Sequence, residues 1–204
     1  MDDKTAEPSP TEDLRRLSDA RELRALAHPV RMALYQVLTV HESLTATQAS
    51  RLVGGSPSSV SYHLRTLAKY GYVQETDDGT GRERPWRLSR LGFQFSDESP
   101  DPETRAAAHA LSSQLFRLWL ERREAYRQHK ERWPEDVRDA AGDWNTVIFG
   151  TPDELRELQD AIGRLTARFR ARITDPSLRP EGSRTFEFQL YTHPIDTGEI
   201  DASD

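Results

Sequence analysis

Ser58, Ser59, Ser61, Tyr62, Arg65 and Thr66 fall on one side of a segment whose other side carries Val60, Leu64 and Leu67 at i, i+4 and i+7. That is the pattern of a helix with an apolar inner face and an outer face of hydroxyls, one phenol and one guanidinium. Small residues at a helix N-terminus let backbone N–H groups approach an anion, and the helix dipole strengthens the attraction. Arg65 has the reach and the donor set for a guanine edge or a phosphate oxygen. Arg82, Arg84 and Arg87 follow in a second segment, where they could meet a nucleic-acid backbone or minor groove. Together these residues suit recognition of duplex DNA: phosphate contacts to fix position and base-edge contacts to read sequence.

The elements around them must hold that face outward. Leu23, Leu26 and Ala27 share a face, and Pro29 stops their helix while suiting the first turn of the next one, Val30 to Leu38, with Val30, Leu34, Val37 and Leu38 inward. Ser43-Leu44-Thr45 is a short connector that could form a single bridging strand. Thr45 caps a helix with Ala49, Leu52 and Val53 inward, and Gly54-Gly55 breaks it. Ser56-Pro57 starts the helix that carries the hydroxyl face, and Gly71 ends it. Strands at 72–76 and 84–88 flank the turn Asp77-Asp78-Gly79-Thr80-Gly81. The order is helix-turn-helix plus wing.

The run LRALAHPVRMALYQVL, then SSVSYHLRTLAKYGYVQ, then GRERPWRLS, resembles winged helix-turn-helix regulators of the ArsR/SmtB type. His28-Pro29-x-Arg31 and Val60-Ser61-x-His63-Leu64-x-x-Leu67-x-x-x-Gly71 carry the likeness, which covers about residues 17–92. The resemblance implies a homodimeric DNA-binding transcription factor, a repressor working in the cytoplasm on the bacterial nucleoid. It also implies that Ser58, Ser59, Ser61, Tyr62 and Arg65 enter the major groove. Many members of that family sense metals. This chain has no Cys, and His109 and His129 stand 20 residues apart on one predicted helix, so no metal or other cofactor is expected.

Beyond the winged domain, residues 96–103 read as a linker and 103–131 as a long helix with Leu111, Leu115, Leu118 and Trp119 on one stripe. Thr151-Pro152-Asp153-Glu154 is a capping box opening a helix striped by Leu155, Leu158, Ile162, Leu165, Phe169 and Ile173. Trp144–Phe149 and the alternating Phe186–Tyr191 read as strands on either side of it. The fold class is therefore α+β: a winged helix-turn-helix domain at 17–95, then a long dimerisation helix and a small strand-helix-strand unit within 96–195. Acidic tails at 1–16 and 196–204 are expected to be disordered. The second unit resembles the extension found in a subgroup of such regulators.

Each sharper reading has a plainer one beside it. His63 could contact a base, but a local hydrogen bond is preferred; His28 suits an interhelix hydrogen bond. Tyr62 reads a base or covers the surface. Arg82 and Arg84, diluted by Glu83, could be a solvated hairpin. Trp119, Tyr126 and Trp133 are packing residues or, with Trp144, line an apolar effector pocket for a small molecule. The chain has no HExxH, GxSxG or Walker A run, so catalysis is not expected. Two other readings stay open: a protein-interaction module that keeps a winged helix without reading DNA, and a small-molecule sensor dominated by the C-terminal half. The start, MDDKTAEPSPTED, has no apolar signal core, and no stretch approaches a membrane span. The net charge of -6 argues against a DNA partner until it is divided. Residues 14–92 carry 12 basic and 7 acidic side chains, while residues 93–204 carry 15 and 22. The positive part coincides with the winged segment.

Overall fold

The computed structural model describes residues 14–77 and 84–195 of the 204-residue chain. Asp19 opens α1 (Ala20–Ala27): its carboxylate accepts from the N–H groups of Arg21 at 2.7 Å and Glu22 at 3.2 Å. Pro29 at the first position of α2 (Pro29–Val40) lets the chain turn at His28 without losing a hydrogen bond, because the first N–H groups of a helix have no intrahelical partner. Thr45 and Gln48 form a reciprocal capping box at the start of α3 (Ala46–Val53). Gly54 and Gly55 both take positive φ, at 81° and 84°, and this pair makes the tight turn into α4 (Pro57–Lys69).

Leu23, Leu26, Met32, Leu34, Ala49, Val60, Leu64 and Leu67 meet in one buried core. Leu52 does not join them. The spacing placed it inward, yet it is 52% exposed, and Ser50 occupies the inner position instead, with its hydroxyl donating to the Thr47 carbonyl at 2.9 Å. In so short a helix the buried face is narrow, and its bearing is set by contact with α4.

The wing is an antiparallel pair, β2 (Val73–Glu75) and β3 (Trp86–Leu88), with Gln74 opposite Arg87. Leu44 adds a bridge to Trp86, exchanging hydrogen bonds of 2.9 and 2.8 Å, so the connector does become a one-residue strand. A second ladder was not anticipated. β1 (Arg15–Leu17) runs parallel to β4 (Phe93–Phe95). Arg15 and Arg16 lie inside the segment expected to be a disordered tail. They are ordered because Leu17 is buried in the core and Arg15 pairs with Glu22 at 2.7 Å. Leu14 of that tail is also described; residues 1–13 and the tail at 196–204 lie outside the described residues.

The long helix α5 (Pro102–His129) is capped by Asp101 and extended by a 3-10 turn at Lys130–Arg132. Its first half buries Ala107, Ala108, Leu111 and Leu115 against the core, and Arg24 of α1 reaches Glu103 at 2.5 Å. After a short α6 (Glu135–Ala140), Thr151 and Glu154 form the expected capping box of α7 (Pro152–Thr174). The fold is mixed α+β, but the expected strand-helix-strand unit is not formed: Trp144–Phe149 and Phe186–Tyr191 make no ladder. Alternating side chains alone do not make a strand; backbone partners do, and neither segment has one here. The second segment lies along α5 instead. The Tyr191 ring stands edge-on to Phe116 at 5.8 Å and Trp119 at 5.4 Å, and Glu187 pairs with Arg122 at 2.9 Å. The α7 stripe is not a core of this chain either, since Leu158, Leu165 and Phe169 are all exposed.

Candidate nucleic-acid interface

Ser56 fixes where α4 begins. Its hydroxyl accepts from the Ser59 N–H at 3.2 Å and lies 3.0 Å from the Ser58 hydroxyl. Val60, Leu64 and Leu67 are sealed in the core, which leaves the opposite face outward. Ser58, Ser59 and Arg65 are exposed, Tyr62 is 66% exposed, and Ser61 and Thr66 are half-buried. All six predicted residues therefore share one helix. Thr66 is partly spent within it, its hydroxyl donating to the Tyr62 carbonyl at 3.0 Å. Arg65 has no hydrogen-bond or ion-pair partner among the described residues, so its guanidinium is available to a ligand.

The wing places its cations less freely. Arg84 lies 3.6 Å from Asp77 in an exposed pair, a contact of little energetic weight that a phosphate can displace. With the Gln74 amide turned so that its oxygen faces the guanidinium, Arg87 donates to it from Nε at 2.9 Å and Nη2 at 2.8 Å, across the ladder. That fork holds Arg87 in line with the wing. Arg82 lies outside the described residues, as does the turn beyond Asp77.

The two histidines depart from expectation. The His28 and His63 rings face each other, with centroids 4.8 Å apart and planes tilted by 39°. The predicted hydrogen bonds do not form among the described residues: the Nδ1 atoms of both, and Nε of Arg31, are buried without a partner there. Burial holds both imidazoles below their ordinary pKa, the Arg31 charge adds to the effect at each, and His63 adds further at His28. Arg31 is itself lowered by burial, and its Nη2 donates to the Arg24 carbonyl at 3.3 Å. Sequence reading named His28-Pro29-x-Arg31 as a motif but gave Arg31 no role. Nothing in the spacing reveals that residues 28, 31 and 63 converge.

The four aromatic residues proposed to line an effector pocket are not brought together. Trp119 packs on Tyr191, while Tyr126 borders a shallow polar depression with Lys130, Glu135, Arg138 and Asp139. Trp133 is 41% exposed, and Trp144 is 95% exposed. Trp144 depended on a strand that has no ladder to hold it, so the four line no common cavity. His109 lies 3.8 Å from Asp97, and among the described residues no group of three His, Asp or Glu is gathered to hold a metal ion. Among the described residues, no helix is long and apolar enough to cross a membrane.

Among curated proteins, none matches the chain. Residues 26–73, running from the end of α1 through α4 into the wing, match the family model described as a helix-turn-helix domain, and this match supports a DNA-binding regulator.

Proposed function

We propose that this chain is a transcriptional repressor that binds an inverted-repeat operator as a homodimer. Its α4 enters the major groove, where Ser58, Ser59, Ser61, Tyr62 and Arg65 meet bases and the adjacent phosphates. Arg84 and Arg87 carry the wing to the backbone. The carrying observation is the two-sidedness of α4: its apolar residues are sealed inward, while exposed serines at its N-terminus and the Tyr62 phenol and Arg65 guanidinium further along face out. The homodimer rests on the apolar surface that one chain leaves open, with Phe116 and Leu120 on α5 and Leu158, Leu165 and Phe169 on α7 all exposed. A second copy would bury them.

Selection of bound duplexes from a random pool tests this reading. The expected product is an inverted repeat whose half-sites lie one or two helical turns apart, roughly 34–36 Å per turn. Binding should weaken steeply with salt. No enriched duplex, together with no salt-dependent binding to any duplex, would overturn it.

A further inference from the structure

α4 is held against α2 by a contact that contains no opposite charge. His63 comes from α4, His28 from the turn before α2, and Arg31 from the first turn of α2. The imidazoles lie ring to ring, and three nitrogens of the cluster are buried without partners among the described residues. Among the described residues, no carboxylate forms part of this contact. α2, α3 and α4 contain no acidic residue. The neighbouring acids are engaged elsewhere: Glu22 of α1 holds Arg15 at 2.7 Å, and Glu103 of α5 holds Arg24 at 2.5 Å. Arg24 offers the cluster only its carbonyl, which accepts from Arg31. The remaining neighbours are phenols: Tyr62, whose ring lies 5.4 Å from His63, and Tyr70 and Tyr72, which act on Arg31. A proton on either imidazole therefore places a cation beside Arg31 in a half-buried site with nothing to balance it.

We propose that His28 and His63 are positioning residues that seat α4 only while both rings are neutral, so that acidification releases DNA. The inference rests on the DNA-binding reading above. Both rings sit below the ordinary value of 6.5 in the seated state, through burial first and the Arg31 charge second. An unseated or unfolded form binds protons more readily, so acid favours it. The stabilisation is complete above about 6.5 and is lost as pH falls below that value toward the lowered ones. The sign is opposite to the general effect, since added protons make the protein more positive and ordinarily tighten its hold on phosphates.

The test uses the full chain and a fluorescein-labelled duplex from the random-pool selection, titrated at constant ionic strength. Between pH 7.5 and 5.5 the native protein should lose several-fold in affinity as the seated population falls. The H28Q/H63Q variant should lose less than about twofold, because His41, His109, His129 and His193 remain as internal controls. Native affinity that stays flat or rises on acidification would overturn the inference. A second measurement, NMR titration of the imidazoles and of the Ser61–Arg65 amides without DNA, does not depend on the variant folding or on DNA. The amides should shift with the His28 and His63 titrations, both below 6.5. Rings that titrate at or above 6.5, or amides that stay still, would overturn it. Absence of any duplex binding at pH 7.5 counts against the DNA reading alone, and the amide titration still decides the seat.

Discussion

Replacing Arg65 with Ala isolates recognition from folding. Arg65 is exposed on α4 and has no ion pair or hydrogen bond among the described residues, and Ala is a good helix former. Folding stability should therefore stay within about 0.5 kcal/mol, checked by thermal unfolding. Binding should lose roughly 1–3 kcal/mol if the guanidinium reads a base, or about 5- to 150-fold in Kd. The assay is fluorescence anisotropy against a selected operator and a scrambled duplex at several salt concentrations. A base contact shows as a loss concentrated on the operator. A phosphate contact shows as an equal loss on both duplexes, with the log–log salt slope reduced by about 0.9. Affinity within twofold of native on both duplexes, with stability unchanged, would refute the assignment of the outward face of α4 to DNA.

Other perturbations read other parts of the design. Leu64→Ala empties a fully buried position behind α4 and should cost about 2–5 kcal/mol in urea unfolding, with DNA affinity falling only as the folded fraction falls. Ser56→Ala removes the cap that accepts from Ser59 and should cost roughly 0.5–2 kcal/mol in thermal unfolding. Asp substitutions at Leu165 and Phe169, which are 71% and 46% exposed in one chain, should leave the winged domain's stability unchanged. By sedimentation they should convert a dimer to a monomer; a dimer that persists would place its interface elsewhere.

The helices and wing of the domain were legible because each has a local signal. The Val60, Leu64 and Leu67 spacing, Pro at the first position of α2 and α4, and the Gly54-Gly55 turn each act within a few residues, and tertiary packing agrees with them. What escaped depended on distant partners. The β1–β4 ladder joins residues nearly eighty apart through three-residue strands, too short for alternation to register. The His28–His63 contact is likewise invisible to spacing, because neither ring sits at a periodic apolar position. Phe186 to Tyr191 fail in the opposite direction: the alternation is clear, but a ladder requires a backbone neighbour that sequence pattern does not supply. On α4, Ser58, Ser59, Tyr62 and Arg65 are exposed as the spacing indicates, while Ser61 and Thr66 are half-buried. Their roles on DNA remain for the substitutions above to separate.

The parallel pairing of Arg15–Leu17 with Phe93–Phe95 means that the winged domain begins and ends at one corner. Paired strands run about 4.8 Å apart, so its entry and exit lie within about 10 Å of each other. Because the strands are parallel, Leu14 lies against Gly92 at the start of β4, and the 96–101 segment that feeds α5 leaves from the other end of the short ladder. The corner is also a gauge. Fluorescent labels at Arg16 and Ser96 would sit close together in every state that keeps the domain closed, and would separate when the ladder opens. That signal would distinguish whole-domain opening from a local unseating of α4, which leaves the corner shut.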